Sequence, residues 1–250
     1  MARTDHAPCP ASPYKLNLGS GHMGTQEGWQ NCDLYPGPQV DHVFDLQGAW
    51  PFPDHSASEL YSSHVVEHLT DPKAFFKEAW RVLLPNGTLL VRVPFGGHRA
   101  AWWDLSHVRP WYPEAFAFVQ PGYAKACGNP QHDDWQYPFG VQIVKMRVSY
   151  KLARWLRHWW VRWLFQRYSG FFEHEIEEIW AYLFALKTPE AVEQYRATHE
   201  PHIVGATFSA WRHHLKGCAP PTDGSCVMVD LCGGVTINGF IGRVMGEERG

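Results

Sequence analysis

The sequence predicts an α/β fold, a doubly wound and mostly parallel sheet that carries a helical cap. Three observations favour it: strand and helix patterns alternate over the first 120 residues, a glycine-rich segment follows the first strand, and aspartates follow the next two. The 250 residues are 45% hydrophobic and 19% charged. This composition indicates a globular chain with one large domain, or one domain with an extension.

Five strands are predicted in the first half of the chain. They cover 14–19, 29–35, 40–46, 58–65 and 88–95. Between the last two, a helix is predicted over 69–85, because Asp71 and Pro72 are typical of a helix start and Asn86–Gly87 of its end. Its apolar face consists of Phe75, Phe76, Ala79, Val82 and Leu83. The carboxyl ends of all five strands are expected along one edge, where ligands bind on such sheets.

The second half is predicted to contain loops, a cap and a tail. Residues 96–140 are rich in Gly, Pro, His and Trp, which is typical of loops over a cleft. A basic, Trp-rich helix is predicted over 150–168 and an acidic helix over 171–186, so that a helical cap covers about 145–186. The tail is expected to form two short strands around Gly233–Gly234.

We therefore expect three regions: a flexible N-terminus over 1–13, the main domain over 14–198, and a C-terminal extension of unknown role over 199–250. The N-terminus has no apolar run typical of a signal peptide, and no stretch is long and apolar enough to span a membrane. The six cysteines form no C-x-x-C pair, which favours reduced thiols in the cytoplasm over a zinc site or disulfides.

The segment "KLNLGSGHMG" contains Gly19, Gly21 and Gly24 with the G-x-G-x-x-G spacing of a dinucleotide-binding turn. In nicotinamide enzymes, a full helix follows and the ribose-binding acid lies about 20 residues further on. Here 11 residues separate Gly21 from Asp33, which leaves room for about one helical turn. This spacing argues against a nicotinamide oxidoreductase and makes Gly24 incidental.

Five segments in order, "LNLGSG", "GWQNCD", "FDL", "SSHVVEHL" and "EAWRVLLPNGTLLVRVP", carry a different resemblance. Together they resemble the class I S-adenosylmethionine-dependent methyltransferases, most closely the small bacterial and phage type with a shortened first helix. The resemblance covers about residues 14–120, with a weaker continuation to 198. It implies a Rossmann-like sheet and S-adenosylmethionine as the cofactor.

The resemblance also implies a set of cofactor-binding residues. Glycines at 19 and 21 allow close backbone approach, Asp33 would bind both ribose hydroxyls, and Asp45 would accept from the adenine amino group. The expected set is Leu18, Gly19, Ser20, Gly21, Asp33, Leu34, Asp45, the Leu46 backbone and the backbone near His64. For a lone aspartate, a turn or a helix cap is the alternative role.

Candidates for the chemistry follow the fourth and fifth strands. In "WWDLSHVRPW", the three-residue spacing of Asp104 and His107 can place a carboxylate beside an imidazole. We expect His107 to be the general base, Asp104 to orient it and Arg109 to hold the acceptor, with His68 as a further candidate. The alternative is a loop that a structural Asp–His contact holds in place.

A metal site is a further possibility. Ubiquinone-pathway O-methyltransferases and small-RNA 2′-O-methyltransferases carry E-x-x-E-H at the place of His64, Glu67 and His68, and bind a divalent ion there. The corresponding set here would be His64, Glu67, His68 and His107, in which His64 replaces a carboxylate. Imidazoles favour Zn²⁺ or Mn²⁺ over Mg²⁺, while the main prediction contains no metal.

The function predicted from these features is O-methylation of a small molecule, sugar or glycan, by in-line displacement with a histidine base. Two alternatives stay open: a metal-assisted RNA 2′-O-methyltransferase, and an inactive methyltransferase-like scaffold that binds a partner. The net charge of −3 gives no general attraction for nucleic acid, so RNA binding needs a local basic groove, for which 147–168 is the candidate. The helix over 150–168 is interpreted as a cap, with peripheral membrane contact as the alternative. A third interpretation of the tryptophans is that a carbohydrate or aromatic acceptor stacks on Trp102, Trp103 or Trp111.

Overall fold

The computed structural model describes residues 12–21, 27–123, 136–148, 155, 158, 160–161, 174, 176–198 and 228–230. Its strands are β1 (Tyr14–Leu18), β2 (Gln30–Asp33), β3 (His42–Val43), β4 (Ala57–Ser63), β5 (Leu83–Pro94), β6 (Phe139–Val148), β7 (Ile176–Ala185) and β8 (Met228–Asp230). The helices are α1 (Pro72–Val82), α2 (Ala100–Trp103), α3 (Pro113–Ala117) and α4 (Pro189–Thr198), with a 3₁₀ turn at Val66–His68.

These strands form one sheet in the order β3-β2-β1-β4-β5-β7-β6-β8. The first five strands pair in parallel. Strand β7 is antiparallel to both β5 and β6, so β6 runs in the direction of the first five, and β8 is antiparallel to β6. The predicted α/β class with a mostly parallel, Rossmann-like sheet is confirmed. Because the strand order reverses between β1 and β4, the crevice beyond the ends of these two strands is the expected ligand site.

The core lies on β1, β4 and β5 and under α1. Leu18, Leu60 and Val91 are fully buried in the sheet, and the apolar face of α1 packs on it. Asp71 caps α1, since its side chain accepts from the backbone N–H groups of residues 73 and 74 at 3.0 and 3.2 Å. The helix is shorter than predicted: it ends at Val82, where the chain turns directly into β5 ahead of the Asn-Gly pair.

The second half differs from the sequence prediction. The acidic helix over 171–186 is wrong, because Ile176–Ala185 is a central strand. The helical cap predicted over 145–186 is also wrong at both ends, because β6 continues to Val148 at one end and β7 covers Ile176–Ala185 at the other. A strand between two others is buried on both faces, so its apolar run has no alternation that separates it from a helix. The predicted loops over 96–140 contain α2, α3 and the start of β6.

Several predictions fall largely or wholly outside the described residues: the flexible N-terminus, the Trp-rich helix over 150–168, the basic groove over 147–168 and the Gly-Gly turn at 233–234. The division into domains stays a prediction. Within the tail, β8 pairs with β6 and widens the sheet at its edge.

Candidate active site

The loop after β1 is built on two glycines. Gly19 and Gly21 have φ values of 71° and 56°, in the region that favours glycine. A Cβ on Gly19 would lie 2.3 Å from Cγ2 of Val65, so the loop packs directly on the segment after β4. A Cβ on Gly21 would meet no atom of the described residues within 4 Å. No described residue therefore fills the space beside the Gly21 backbone.

The carboxylate of Asp33, at the end of β2, faces this loop. Its Oδ2 accepts from the Gly21 backbone N–H at 2.8 Å, and its Oδ1 accepts from the Tyr35 N–H at 3.0 Å. Between the two, Leu34 is exposed. Ser20 is buried, and its hydroxyl has no hydrogen-bond partner among the described residues. Glycine backbone, aspartate and an unsatisfied hydroxyl thus meet at one edge of the crevice.

Asp45 follows β3 at the same edge of the sheet. Its Oδ1 accepts from the Gln47 N–H at 2.8 Å, which is the turn contact that a lone aspartate commonly makes. The carboxylate is exposed, whereas Leu46 is buried and its carbonyl accepts from the Trp50 indole at 3.1 Å. Asp45 keeps lone pairs for a further donor.

His64 follows β4 with a φ of 55°, which is rare for a residue other than glycine and often marks a functional position. Its Nε2 lies 3.2 Å from Oε1 of Glu178, and its Nδ1 lies 3.4 Å from Oε1 of Glu67. The carboxylates of Glu178 and Glu67 raise the pKa of His64 to about 9, against the opposing effect of burial. His64 is therefore an imidazolium held between two acidic groups.

Glu178 on β7 connects His64 to a second cation. It accepts from Arg92 Nη2 at 3.0 Å and from the Trp180 indole at 2.9 Å, and the Arg92 guanidinium lies 4.2 Å from the Trp180 ring centroid. Burial alone would raise the pKa of Glu178, but His64 and Arg92 hold it well below its usual range. Sequence reasoning missed this network, because it assigned Glu178 to an acidic helix of the cap instead of to a strand.

A group of three residues lies beside His64: Glu67, His68 and His107. One ligand-type atom from each lies within 4.8 Å of the others. Glu67 is 1% exposed, and neither of its carboxylate oxygens has a hydrogen bond of good geometry among the described residues. The rings of His68 and His107 pack edge to face at 4.7 Å. Glu67 and His68 are neighbours in the sequence, His107 belongs to a distant segment, and the structure brings the two segments together.

The expected contact between Asp104 and His107 is long. The carboxylate lies 3.9 Å from Nε2 of His107, while Nδ1 of His107 lies 3.2 Å from the Ala101 carbonyl oxygen. That carbonyl, and not Asp104, orients the ring. Asp104 instead accepts two hydrogen bonds from Ser106, from the backbone N–H at 2.9 Å and from the hydroxyl at 2.6 Å.

The remaining acceptor-side candidates divide into exposed and buried groups. Arg109 is exposed and donates to the Thr70 carbonyl at 2.9 Å. Trp102 and Trp103 are also exposed, with the Trp102 indole N–H donating to the Gly96 carbonyl. Trp111 is buried, so the stacking role predicted for it is wrong.

Among the described residues, no helix is long and apolar enough to cross a membrane.

Comparisons with known proteins found one family model and several similar solved structures. Residues 33–91 match a family model described as a methyltransferase domain, and no curated protein matches the chain. An S-adenosylmethionine-dependent methyltransferase from Archaeoglobus fulgidus is similar at 13% identity, over 70% of this chain and 86% of that chain, with a TM-score of 0.47. The YcgJ protein from Bacillus subtilis is similar at 16% identity, over 73% and 95%, with a TM-score of 0.42. At these TM-scores, neither structure informs the activity.

Proposed function

We propose that the chain is a class I S-adenosylmethionine-dependent methyltransferase that methylates a hydroxyl oxygen on a small molecule, sugar or glycan. The observation that supports this acceptor chemistry is the pair of imidazoles, His68 and His107, at the end of the crevice. Removal of a hydroxyl proton needs such a base. We place the reaction in the cytoplasm, as the cysteine pattern predicts.

The described residues fit the cofactor. When bound, S-adenosylmethionine supplies a methyl group on a cationic sulfonium. Among the described residues, none fills the space beside Gly21 and none is a partner for the buried Ser20 hydroxyl, so both positions are suited to polar groups of a ligand. We assign the ribose hydroxyls to Asp33, whose carboxylate is already oriented by two backbone N–H groups. Asp45 and the Leu46 backbone are assigned to the adenine, between Leu34 and the sheet.

The base is assigned to His107. A carbonyl oxygen only accepts hydrogen bonds, so the contact with Ala101 requires the proton of the neutral ring on Nδ1 and leaves the lone pair on Nε2. The side chain is 9% exposed, which limits competition from water. Asp104 lies 3.9 Å from Nε2, where its charge would stabilise the ring after it takes a proton. Arg109 and the exposed indoles of Trp102 and Trp103 are assigned to the acceptor.

The first test is calorimetric titration of the full chain with S-adenosylhomocysteine, with NADH as the control. Binding of the former alone is expected. Turnover is then measured as S-adenosylhomocysteine released from S-adenosylmethionine in the presence of a panel of hydroxylated acceptors. His107→Ala should keep S-adenosylhomocysteine affinity and lose at least about 100-fold in turnover. The matched control is His55→Asn, an exposed histidine that precedes β4. Unchanged turnover in His107→Ala would refute the assignment of the base.

A second candidate function is metal-assisted methylation, including that of an RNA 2′-hydroxyl. It is favoured by the buried, unsatisfied carboxylate of Glu67 beside two imidazoles. Glu67, His68 and His107 fit a cation with mixed nitrogen and oxygen ligands, such as Mn²⁺ or Zn²⁺. Such an ion would act as a Lewis acid on the acceptor oxygen. His64 lies outside the group within 4.8 Å, and its imidazolium competes for Glu67.

The two candidates are separated by titrating the chain with Mn²⁺, Zn²⁺ and Mg²⁺ and by comparing turnover with and without a chelator. Under the first proposal, Glu67→Gln and chelation leave turnover within about threefold. Under the metal alternative, both remove turnover, and Glu67→Gln weakens Mn²⁺ binding by about 10-fold or more.

A further inference from the structure

The segment that carries His107 is attached to the segment that carries His68 by three contacts. The Ser106 hydroxyl lies 2.9 Å from Nδ1 of His68. The Val108 backbone N–H donates to the Glu67 carbonyl at 2.8 Å, and Arg109 donates to the Thr70 carbonyl at 2.9 Å. Because these contacts involve three of the four residues from 106 to 109, they hold Ser106 in place relative to His68.

The hydrogen-bonding groups of Asp104, Ser106 and His68 determine where the protons between them lie. The Ser106 hydroxyl has one proton, and its oxygen lies 2.6 Å from Oδ1 of Asp104. The Asp104 carboxylate is exposed to water and already accepts from the Ser106 backbone N–H at 2.9 Å, and an ionised carboxylate only accepts. The hydroxyl proton therefore goes to Asp104. The serine oxygen faces Nδ1 of His68 with a lone pair, and Nδ1 must carry the proton of the neutral ring.

We propose that Ser106 is a positioning residue, which, with Asp104, keeps His68 in the tautomer protonated on Nδ1 and unprotonated on Nε2. An isolated histidine side chain favours the opposite tautomer, so this contact reverses the intrinsic preference. His107 is fixed in the same tautomer by the Ala101 carbonyl. The two imidazoles consequently offer two Nε2 lone pairs, one from each ring.

The role of this arrangement in catalysis rests on the proposed function. An acceptor hydroxyl has one proton and donates it to one of the two rings, which removes it, while the other Nε2 accepts a hydrogen bond from a second hydroxyl of the acceptor. A His68 ring with its proton on Nε2 would donate a hydrogen bond at this point and disfavour the attacking geometry. Asp104 thus acts on His68 through Ser106, in addition to its charge near His107.

The test is a nitrogen NMR measurement on the full chain labelled with ¹⁵N-histidine, at a pH where the ring is neutral, with His68→Gln used for assignment. Protonated and unprotonated ring nitrogens have well-separated ¹⁵N shifts. In the wild type, Nε2 of His68 is expected to show the unprotonated shift. Ser106→Thr should keep this pattern, because it keeps the hydroxyl. Ser106→Ala should exchange the two shifts, whereas the control Ser58→Ala should not.

A wild-type protein with the proton on Nε2 of His68 would overturn the proposal without any variant. An unchanged pattern in Ser106→Ala would overturn it as well. Titration with S-adenosylhomocysteine accompanies the measurement, and Ser106→Ala should bind it within about twofold of the wild type. Failure of all forms to bind S-adenosylhomocysteine would contradict the proposed function and leave the tautomer result intact, so the two failures are distinguishable.

Discussion

The contact between Gly19 and Val65 predicts how the protein responds to Gly19→Ala. The change costs about 1–2 kcal/mol for placing an L-residue at positive φ. The new Cβ would lie 2.3 Å from Cγ2 of Val65, and relieving such overpacking typically costs a further 1–3 kcal/mol or so. The expected loss in the free energy of unfolding is therefore about 2–5 kcal/mol. For a chain of this size, that lowers Tm by roughly 4–20 °C.

Gly21→Ala is the matched comparison. It incurs the same backbone cost of about 1–2 kcal/mol, but its Cβ meets no atom of the described residues within 4 Å. The structure therefore predicts a smaller loss of stability and, because the methyl group projects into the space assigned to the cofactor, a larger loss of S-adenosylhomocysteine affinity. Urea denaturation and calorimetric titration measure the two effects separately.

A double-mutant cycle with Val65→Ala isolates the steric part. In the Gly19→Ala background, Val65→Ala should recover stability, with a coupling energy of about 1 kcal/mol or more. In the Gly21→Ala background, the coupling should lie within about 0.5 kcal/mol of zero. Equal coupling energies in both backgrounds would show that the loop after β1 does not pack on Val65 as described. The placement of the cofactor site beside this loop would then be wrong as well.

Three further predictions concern single carboxylates. Asp33→Asn should weaken S-adenosylhomocysteine binding by roughly 10- to 100-fold in a calorimetric titration, because a charged acceptor is lost, with the urea midpoint close to that of the wild type. Asp71→Ala removes the cap of α1 and should lower the free energy of unfolding by about 1 kcal/mol without changing cofactor affinity. Glu178→Gln leaves Arg92 without its buried counter-charge and should cost about 3 kcal/mol at pH 7. Since the folded-state pKa of Glu178 lies below its ordinary value of 4.5, this difference should be complete above pH 4.5 and shrink as the pH falls further. A constant difference between pH 7 and pH 3 would contradict the ion pair.

The parallel half of the fold was predictable, because its signals are local. Alternation, the glycine loop and the Asp71–Pro72 helix start predict β1, β2, β4, β5 and α1 with boundary errors of a few residues. Strand β7 was not predictable in this way: its residues Ile179–Leu183 are all buried between two other strands, and only its neighbours in the sheet distinguish such a run from a helix. The end of α1 at Val82 likewise depends on tertiary structure, because the chain enters β5 at Leu83.

The candidate site shows the same division. The order of Gly19, Gly21 and Asp33 along the chain was sufficient to expect them at one edge, and the structure places them there. The link from Ser106 to His68 spans 38 residues and depends on how two irregular segments dock. No periodicity in the sequence indicates the contact between Ser106 and His68. The three-residue spacing of Asp104 and His107 suggested instead that His107 is the partner of Asp104.

The position of β7 between β5 and β6 has a consequence for synthesis of the chain. The sheet from β1 to β5 can pair as soon as residue 94 has emerged from the ribosome, whereas the neighbour of β5 is complete only at residue 185. At ~5–20 residues per second, this interval lasts on the order of 5–20 s. During that time, the backbone groups of Leu89–Val93 form an unpaired, apolar edge, the kind of surface that recruits other strands. The nascent chain is therefore expected to be most dependent on chaperones in this interval, and slower translation between residues 94 and 185 should lower the soluble yield.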